Sequence, residues 1–279
     1  MGLIHNISDT ARWTAAYRAR ETDRPDGLFR DPFARRLAGG AGEDIANAIE
    51  FGNQNTWTWT ARTWLFDHFI TQEIESGCDL VVNLAAGLDA RPYRMNLPAS
   101  LQWIEIDLPG ILDYKEEILR DDRPVCALER IRLDLADGGA RREVFADLGK
   151  RGNKALLVTE GLIVYFTAEE VGAFAEDLAA PPSFQRWLTD LCSPGLLNLL
   201  RKKMGAHMGE SAVLKFAPAE GPPFFANHGW KALEVRSFLK TAAQLKLLPL
   251  FLKIMSLLPE SNARQGSRPW AAACLLGKQ

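Results

Sequence analysis

The sequence predicts a doubly wound α/β protein: a mostly parallel sheet with helices on both faces, a helical cover ahead of it and an inserted helical lid. Three observations predict this. Beyond residue 77, short apolar runs recur at intervals of roughly 25 residues and break off at acidic side chains. Helical spacing fills the gaps between those runs. The first 76 residues show helical spacing throughout, so they read as a cover and not as part of the sheet.

The cover begins at a cap candidate, Ser8 or Asp9, and continues through Trp13, Ala16, Tyr17 and Arg20. A loop at Arg24-Pro25-Asp26-Gly27 interrupts it, Asp31-Pro32-Phe33 restarts the chain, and a helical pattern over 44–75 ends near Gly77. Leu80-Val81-Val82-Asn83-Leu84 then reads as a buried parallel strand that stops in a tight turn, Ala85-Ala86-Gly87-Leu88-Asp89. Three further runs end in acids: Trp103-Ile104-Glu105-Ile106-Asp107, Ile131-Arg132-Leu133-Asp134 and Leu156-Leu157-Val158-Thr159-Glu160. Helices are expected over 112–119 and 141–148, and later strands over 183–191, 233–238 and 270–276. Residues 194–230 read as an inserted helical pair with a Gly/Pro-rich tail. One domain results, with a cover over 1–76, a core over 77–192, a lid over 193–229 and closing strands and helices over 230–279.

Composition narrows the function. The chain has 279 residues, 47% hydrophobic and 24% charged, with 33 basic against 35 acidic side chains and a formal net charge of -2. It is long enough to bury a large core without disulfides or metals. Balanced, interleaved charge argues against nucleic-acid binding, which needs concentrated Lys and Arg. The cysteines at 78, 126, 192 and 274 are too scattered for a metal site or a disulfide framework. The opening Met1-Gly2-Leu3-Ile4-His5-Asn6 has no basic stretch followed by an apolar one, and Asn6 stands where myristoylation wants Ser or Thr, so a cytoplasmic location is expected. The most apolar window, 239–259, is interrupted by Lys240, Lys246, Lys253 and Pro249. It therefore reads as two short amphipathic helices packed on the core, with surface attachment as the lesser alternative and a membrane span excluded.

In an open α/β sheet, ligands bind outside the carboxyl ends of the strands, so the terminal acids face a ligand there. The first turn has only Gly87 where a dinucleotide fingerprint wants three glycines, which weakens the case for a nicotinamide oxidoreductase. Asp107 lies twenty residues after Gly87, the spacing at which an acid accepts from both hydroxyls of an unmodified ribose; the alternative is a cap on the helix entered through Pro109. Asp134 suits an adenine amine or a turn, and Glu160 an ammonium group or a structural ion pair.

Thr10-Ala11-Arg12-Trp13, Phe29-Arg30-Asp31-Pro32-Phe33-Ala34, Arg62-Thr63, Leu84-Ala85-Ala86-Gly87-Leu88-Asp89-Ala90-Arg91, Glu105-Ile106-Asp107-Leu108-Pro109 and Thr159-Glu160-Gly161-Leu162 together resemble the leucine carboxyl methyltransferase family, over nearly the whole chain. Gly229-Trp230, Glu234-Val235-Arg236 and the closing Arg268-Pro269-Trp270 resemble its bacterial branch. The resemblance implies a Rossmann-like class I methyltransferase that uses S-adenosylmethionine. It further implies that Asp107 holds the ribose, Asp134 with Leu135 the adenine, the backbone of Ala85 and Gly87 the methionine portion, Glu160 with Gly161 the amino group, and Arg62 and Arg12 the carboxylate. Ala85 departs from the family, which usually has glycine in that turn.

A carboxylate acceptor is already ionised at neutral pH and needs no base, whereas a hydroxyl acceptor wants one. Of His5, His68, His207 and His228, the last stands in the most plausible substrate loop, and Tyr165 is a second weak catalytic candidate. Phe216, Phe224 and Phe225 would give the lid an apolar wall suited to an aromatic or polyketide-like small molecule, and Tyr165 and Phe166 are pocket wall or core. The expected reaction is O-methylation of a small-molecule carboxylate or hydroxyl. Methylation of a protein C-terminus and a non-catalytic nucleoside-binding module are the alternatives.

Overall fold

A computed structural model describes residue 4 and residues 7–209, 212–259 and 266–279. His5 and most of the opening hexapeptide lie outside the described residues. Five strands run parallel: β1 (Leu80–Leu84), β2 (Gln102–Asp107), β3 (Ala127–Arg132), β4 (Ala155–Thr159) and β5 (Phe184–Cys192). Two more, β6 (Trp230–Ser237) and β7 (Ala271–Lys278), close the sheet, with β7 antiparallel to both its neighbours. The spatial order is β3-β2-β1-β4-β5-β7-β6, so the chain reverses direction across the sheet between β1 and β4. That reversal opens a crevice at the carboxyl edge. β1 and β4, which flank it, are buried at every position and read as continuous apolar runs for that reason.

Helices cover both faces. The cover consists of α1 (Ile7–Asp23), α2 (Ala34–Ala48), α3 (Glu50–Gln54) and α4 (Thr56–Glu75). α1 and α4 are clamped by aromatic packing, with Tyr17 stacked on Trp59 at 5.4 Å and Trp13 edge-on to Trp59 at 5.0 Å. Beyond them, α5 (Arg91–Arg94), α6 (Pro109–Ile118), α7 (Gly138–Leu148) and α8 (Ala168–Ala179) follow successive strands. Asp137 caps α7 through the N–H groups of Gly139 and Ala140, and Thr167 with Glu170 forms a reciprocal capping box on α8. One sheet face is filled around Phe145, Phe174, Phe184 and Trp187, the other around Phe66, Phe69, Trp103 and Phe238.

Four expectations need correction. β3 ends at Arg132, so Asp134 lies two residues past the strand and not at its tip. β6 starts at Trp230, three residues early, because pairing with β7 extends it back through Trp230, Lys231 and Ala232. Among its described residues the insertion holds one α-helix, α9 (Pro194–Met204), and not a pair: Gly205, Gly209, Pro218, Gly221 and Pro222-Pro223 leave short 3-10 turns, among them Gly205–His207 and Pro222–His228. The apolar window does form two helices, α10 (Phe238–Gln244) and α11 (Leu250–Ser256), with Pro249 as the cap of the second. However, α10 buries Phe238, Thr241 and Ala242, whereas α11 has no buried residue and meets the core through half-buried Leu252.

The turn after β1 carries the backbone strain. Ala85 and Gly87 both adopt left-handed conformations, with φ of 55° and 49°. Glycine accepts this region freely, whereas alanine pays for its Cβ. Ala85→Gly therefore raises stability by about 0.5–1 kcal/mol, the strain relieved less the extra freedom of the unfolded chain. Urea unfolding midpoints of the two proteins measure this.

Candidate active site

A cavity of about 1140 Å³ opens at the carboxyl ends of β1, β2, β4 and β5 and is roofed by α1, α4 and α9. Small-molecule sites commonly fall between about 300 and 1,000 Å³, so this one has room for two ligands. One end is polar and built by the strand tips. The other is lined by leucines, methionines and phenylalanines from α9, α10, α11 and Phe216.

At the polar end, Gly87 N–H donates to Asp107 Oδ2 at 2.6 Å, and Leu108 N–H donates to Oδ1 at 2.7 Å. Asp107 thus ties the first turn to the second strand tip, and it is not the N-cap of α6, which is Leu108 with no side-chain capping bond of its own. Each of its oxygens keeps acceptor capacity toward the cavity. Burial raises its carboxyl pKa, against the opposing pull of the two N–H groups. A Cβ on Gly87 would come within 3.3 Å of the Ala11 side chain, so the close fit of α1 over the turn also favours glycine here.

Glu160 follows β4 and sits between two guanidinium groups. Its Oε2 is 2.9 Å from Arg91 Nη2, and its Oε1 is 3.1 Å from Arg62 Nε, off the line of a good hydrogen bond. Arg62 lies over the Trp59 ring at 5.0 Å and reaches Asp190 Oδ2 at 3.3 Å. Asp190 also accepts the Gly161 N–H at 2.8 Å. Burial raises its carboxyl pKa, opposed by Arg62 and that N–H group. Arg91 is almost completely buried and bonds Asp67 at 2.6 Å and Asp89 at 2.8 Å as well as Glu160. Burial pushes the Asp89 carboxyl up, but Arg91, Lys115, Arg94 and Arg18 more than offset it and hold the group well below the usual carboxylate range. Apart from Arg268 on the loop before β7, the charged groups lining the cavity are Arg18, Arg62 and Arg91 against Asp89, Asp107, Glu160 and Asp190. With Arg268 included, the lining carries four cations and four anions.

Of the residues singled out in the sequence, Arg62, Ala85, Gly87, Asp107, Glu160, Gly161 and Tyr165 line this cavity. Arg12, Asp134, Leu135 and His228 do not. Arg12 points round α1 to lie over Tyr114 at 4.4 Å and within 3.6 Å of Asp9, while Ala11, Thr14 and Arg18 take the inward face. Asp134 is exposed and accepts the N–H of Ala136 in its own turn, and Leu135 is buried in the core. His228 contacts Glu176 at 2.9 Å and packs on Gly172 of α8 and on Phe224. Phe216 is cavity wall, while Phe224 and Phe225 pack with it and with Trp187. Phe166 packs on Phe174.

Sequence reasoning missed Arg18, Asp89, Arg91 and Asp190. Two of these stand inside the quoted turn motif, and Asp190 repeats the pattern of an acid near a strand end. Arg18 donates to Leu88 O at 2.6 Å and to Asp31 at 2.9 Å, holding the turn against α1. Cys192 also lines the cavity, but burial pushes its thiol up to about 12, which removes it as a nucleophile. Burial likewise raises the Tyr165 phenol. Among the described residues no histidine lines the cavity and no metal-binding cluster occurs.

Residues 11–179 match the leucine carboxyl methyltransferase family. A provisionally named S-adenosyl-L-methionine-dependent methyltransferase of Mycobacterium sp. (strain KMS) is 30% identical, covering 82% of this chain and 84% of that protein. Another, from Mycobacteroides abscessus (strain ATCC 19977), is 32% identical over the same shares. Among solved structures, a DUF574 family protein of Streptomyces avermitilis MA-4680 has the same fold at 11% identity, with a TM-score of 0.63 and 97% of each chain covered. A provisionally named methyltransferase of Thermobifida fusca YX aligns at 14% identity with a TM-score of 0.60, covering 99% of this chain and 96% of that one. The chain belongs to the leucine carboxyl methyltransferase family.

Arg91 neutralises three carboxylates that lie on three separate elements. Arg91→Met keeps the bulk and strands those charges in a dry setting, so stability drops by about 3–5 kcal/mol. Guanidinium unfolding checks this, and a loss under 1 kcal/mol would show that the network is solvated.

Proposed function

We propose that the chain is an S-adenosylmethionine-dependent O-methyltransferase whose acceptor is a carboxylate on a small molecule. The observation that carries this reading is the division of one cavity into a charged end at the Gly87–Asp107 turn and an apolar end large enough for a second ligand. Methyl transfer from S-adenosylmethionine is the chemistry of the family, and the residues present fit that donor. Asp107 has free acceptor sites for ribose hydroxyls, and the bare backbone of Gly87 allows close approach. Glu160 would meet the ammonium group, with Arg62 beside it for the carboxylate, as guanidinium geometry suits. When bound, the donor supplies a methyl group activated by an adjacent sulfonium.

The protein's own part is positioning, water exclusion and charge balance. α9, with Leu214 and Phe216 beyond it, acts as the lid on the apolar end. Asp190, Leu191 and Cys192 carry the β5 backbone from the charged end to the apolar one, which puts the acceptor head near Asp190 and Tyr165. Asp190 is engaged by Arg62 and Gly161, and the Tyr165 phenol is held protonated by burial. Neither is a free base, and this favours an acceptor that arrives ionised.

Calorimetry with S-adenosylhomocysteine and with NAD tests the cofactor: only the former binds, and tighter NAD binding would overturn the reading. Asp107→Ala weakens S-adenosylhomocysteine by about 1.5–3 kcal/mol. Because burial raises the Asp107 pKa, the ionised acceptor is lost as pH falls, starting above the ordinary value of about 4. Affinity therefore declines on acidification from a higher pH than an exposed aspartate would give, and Asp107→Asn lacks this decline. For the acceptor, product formed with labelled donor releases methanol in mild base if it is an ester. Base-stable label in every product would rule out the carboxylate.

A further inference from the structure

We infer that the acceptor is an amphiphile, a carboxylate at the end of a long flexible apolar chain, and that the chain lies in the leucine- and methionine-lined end of the cavity with α11 at its mouth. This rests on the methyltransferase reading and specifies its substrate class.

Four observations converge on it. First, α9 turns Leu196, Leu199 and Leu200 toward the cavity, one helical face at spacings of three and four, and all three stay only half-buried. Apolar side chains left facing a void have lost contacts that a ligand would restore. Second, Met204, Met208 and Met255, three of the chain's five methionines, stand in the same wall. Methionine adapts to ligands of variable shape, which suits a chain that bends.

Third, most of the phenylalanines of the lid do not line the cavity. The aromatic substrate expected from Phe216, Phe224 and Phe225 loses support, since only Phe216 of the three lines the cavity. Fourth, α11 is apolar except for Lys253 and Ser256. Phe251, Leu252 and Met255 line the cavity, while Leu250 at 76%, Ile254 at 61% and Leu257 at 83% exposure face outward. A short helix with no buried residue, whose inner face is continuous with the cavity wall, gives an apolar chain a path from solvent to the interior.

The chemistry balances without a further reactant. A carboxylate oxygen of the acceptor forms the new O–C bond to the donor's methyl, and the C–S bond breaks with its electron pair staying on sulfur. Methyl ester and S-adenosylhomocysteine result, and no proton is released.

The test titrates the full chain, saturated with S-adenosylhomocysteine, with straight-chain fatty acids from hexanoate to tetradecanoate below their aggregation concentrations. Binding is read by calorimetry. Affinity should rise roughly three- to fourfold per added methylene over the first several carbons, as burial of each CH₂ group requires. Base-labile label transferred from the donor should follow the same order. Leu199→Glu should cut dodecanoate affinity at least tenfold and leave S-adenosylhomocysteine affinity unchanged. Should that variant fail to fold, Phe251→Asp on the exposed helix replaces it with the same expectation. A flat dependence on chain length, or benzoate binding more tightly than dodecanoate, overturns the proposal while S-adenosylhomocysteine binding leaves the methyltransferase reading intact. Failure of S-adenosylhomocysteine itself to bind removes both.

Discussion

The carboxyl edge of the sheet depends on one buried cation. Arg91 leaves the first turn and inserts between Asp67 of the cover, Asp89 of its own turn and Glu160 after β4. A guanidinium taken out of water is tolerated only when its forked donors are matched by acceptors in the right directions. Three carboxylates on three elements meet that condition only in one arrangement of those elements. Arg94 doubles the tie to Asp67 at 2.7 Å, and Arg62 continues the chain of charges from Glu160 to Asp190. The strand tips, the strained turn and the cover are therefore fixed relative to each other by electrostatics as much as by apolar packing.

That arrangement explains why some of the site was legible in the sequence and some was not. Asp107 could be found because β2 is buried through its middle and ends in this half-buried acid at the ligand edge. Asp190 could not, because Leu191 beyond it is also buried and the apolar run passes over the acid without stopping. Arg12 and Arg18 are both plausible on α1 from spacing alone. That helix buries Trp13, Ala15, Ala16, Tyr17 and Ala19 on several sides, so no single apolar stripe marks its inward face. Asp134 misled because the pairing of β3 with β2, and not the apolar run, decides where the strand ends. The placement of His228 depends on docking against α8, an element more than fifty residues away, which local composition does not encode.

The departure at Ala85 was readable as a residue and not as a cost. A glycine is expected where the backbone turns left-handed, and the structure shows that Ala85 does adopt that conformation. Strain of this kind persists where surrounding contacts over-determine the backbone. Here Asp107 pulls on the Gly87 N–H, Arg18 holds Leu88 O, and Arg91 grips Asp89, so the turn is fixed at three successive points. A turn held so firmly presents its backbone to a ligand without reorganising, which is the form of preorganisation a methyl-transfer site requires.

The same charges bear on turnover. Arg18, Arg62, Arg91 and Arg268 line the cavity against Asp89, Asp107, Glu160 and Asp190, four charges of each sign. A donor that carries sulfonium, ammonium and carboxylate together, and the carboxylate acceptor proposed above, would between them add no net charge to that balance. On that proposal, transfer of the methyl group would cancel the sulfonium and acceptor charges in one step, while the charges around the turn stay paired throughout because the buried Arg91 network keeps them in place.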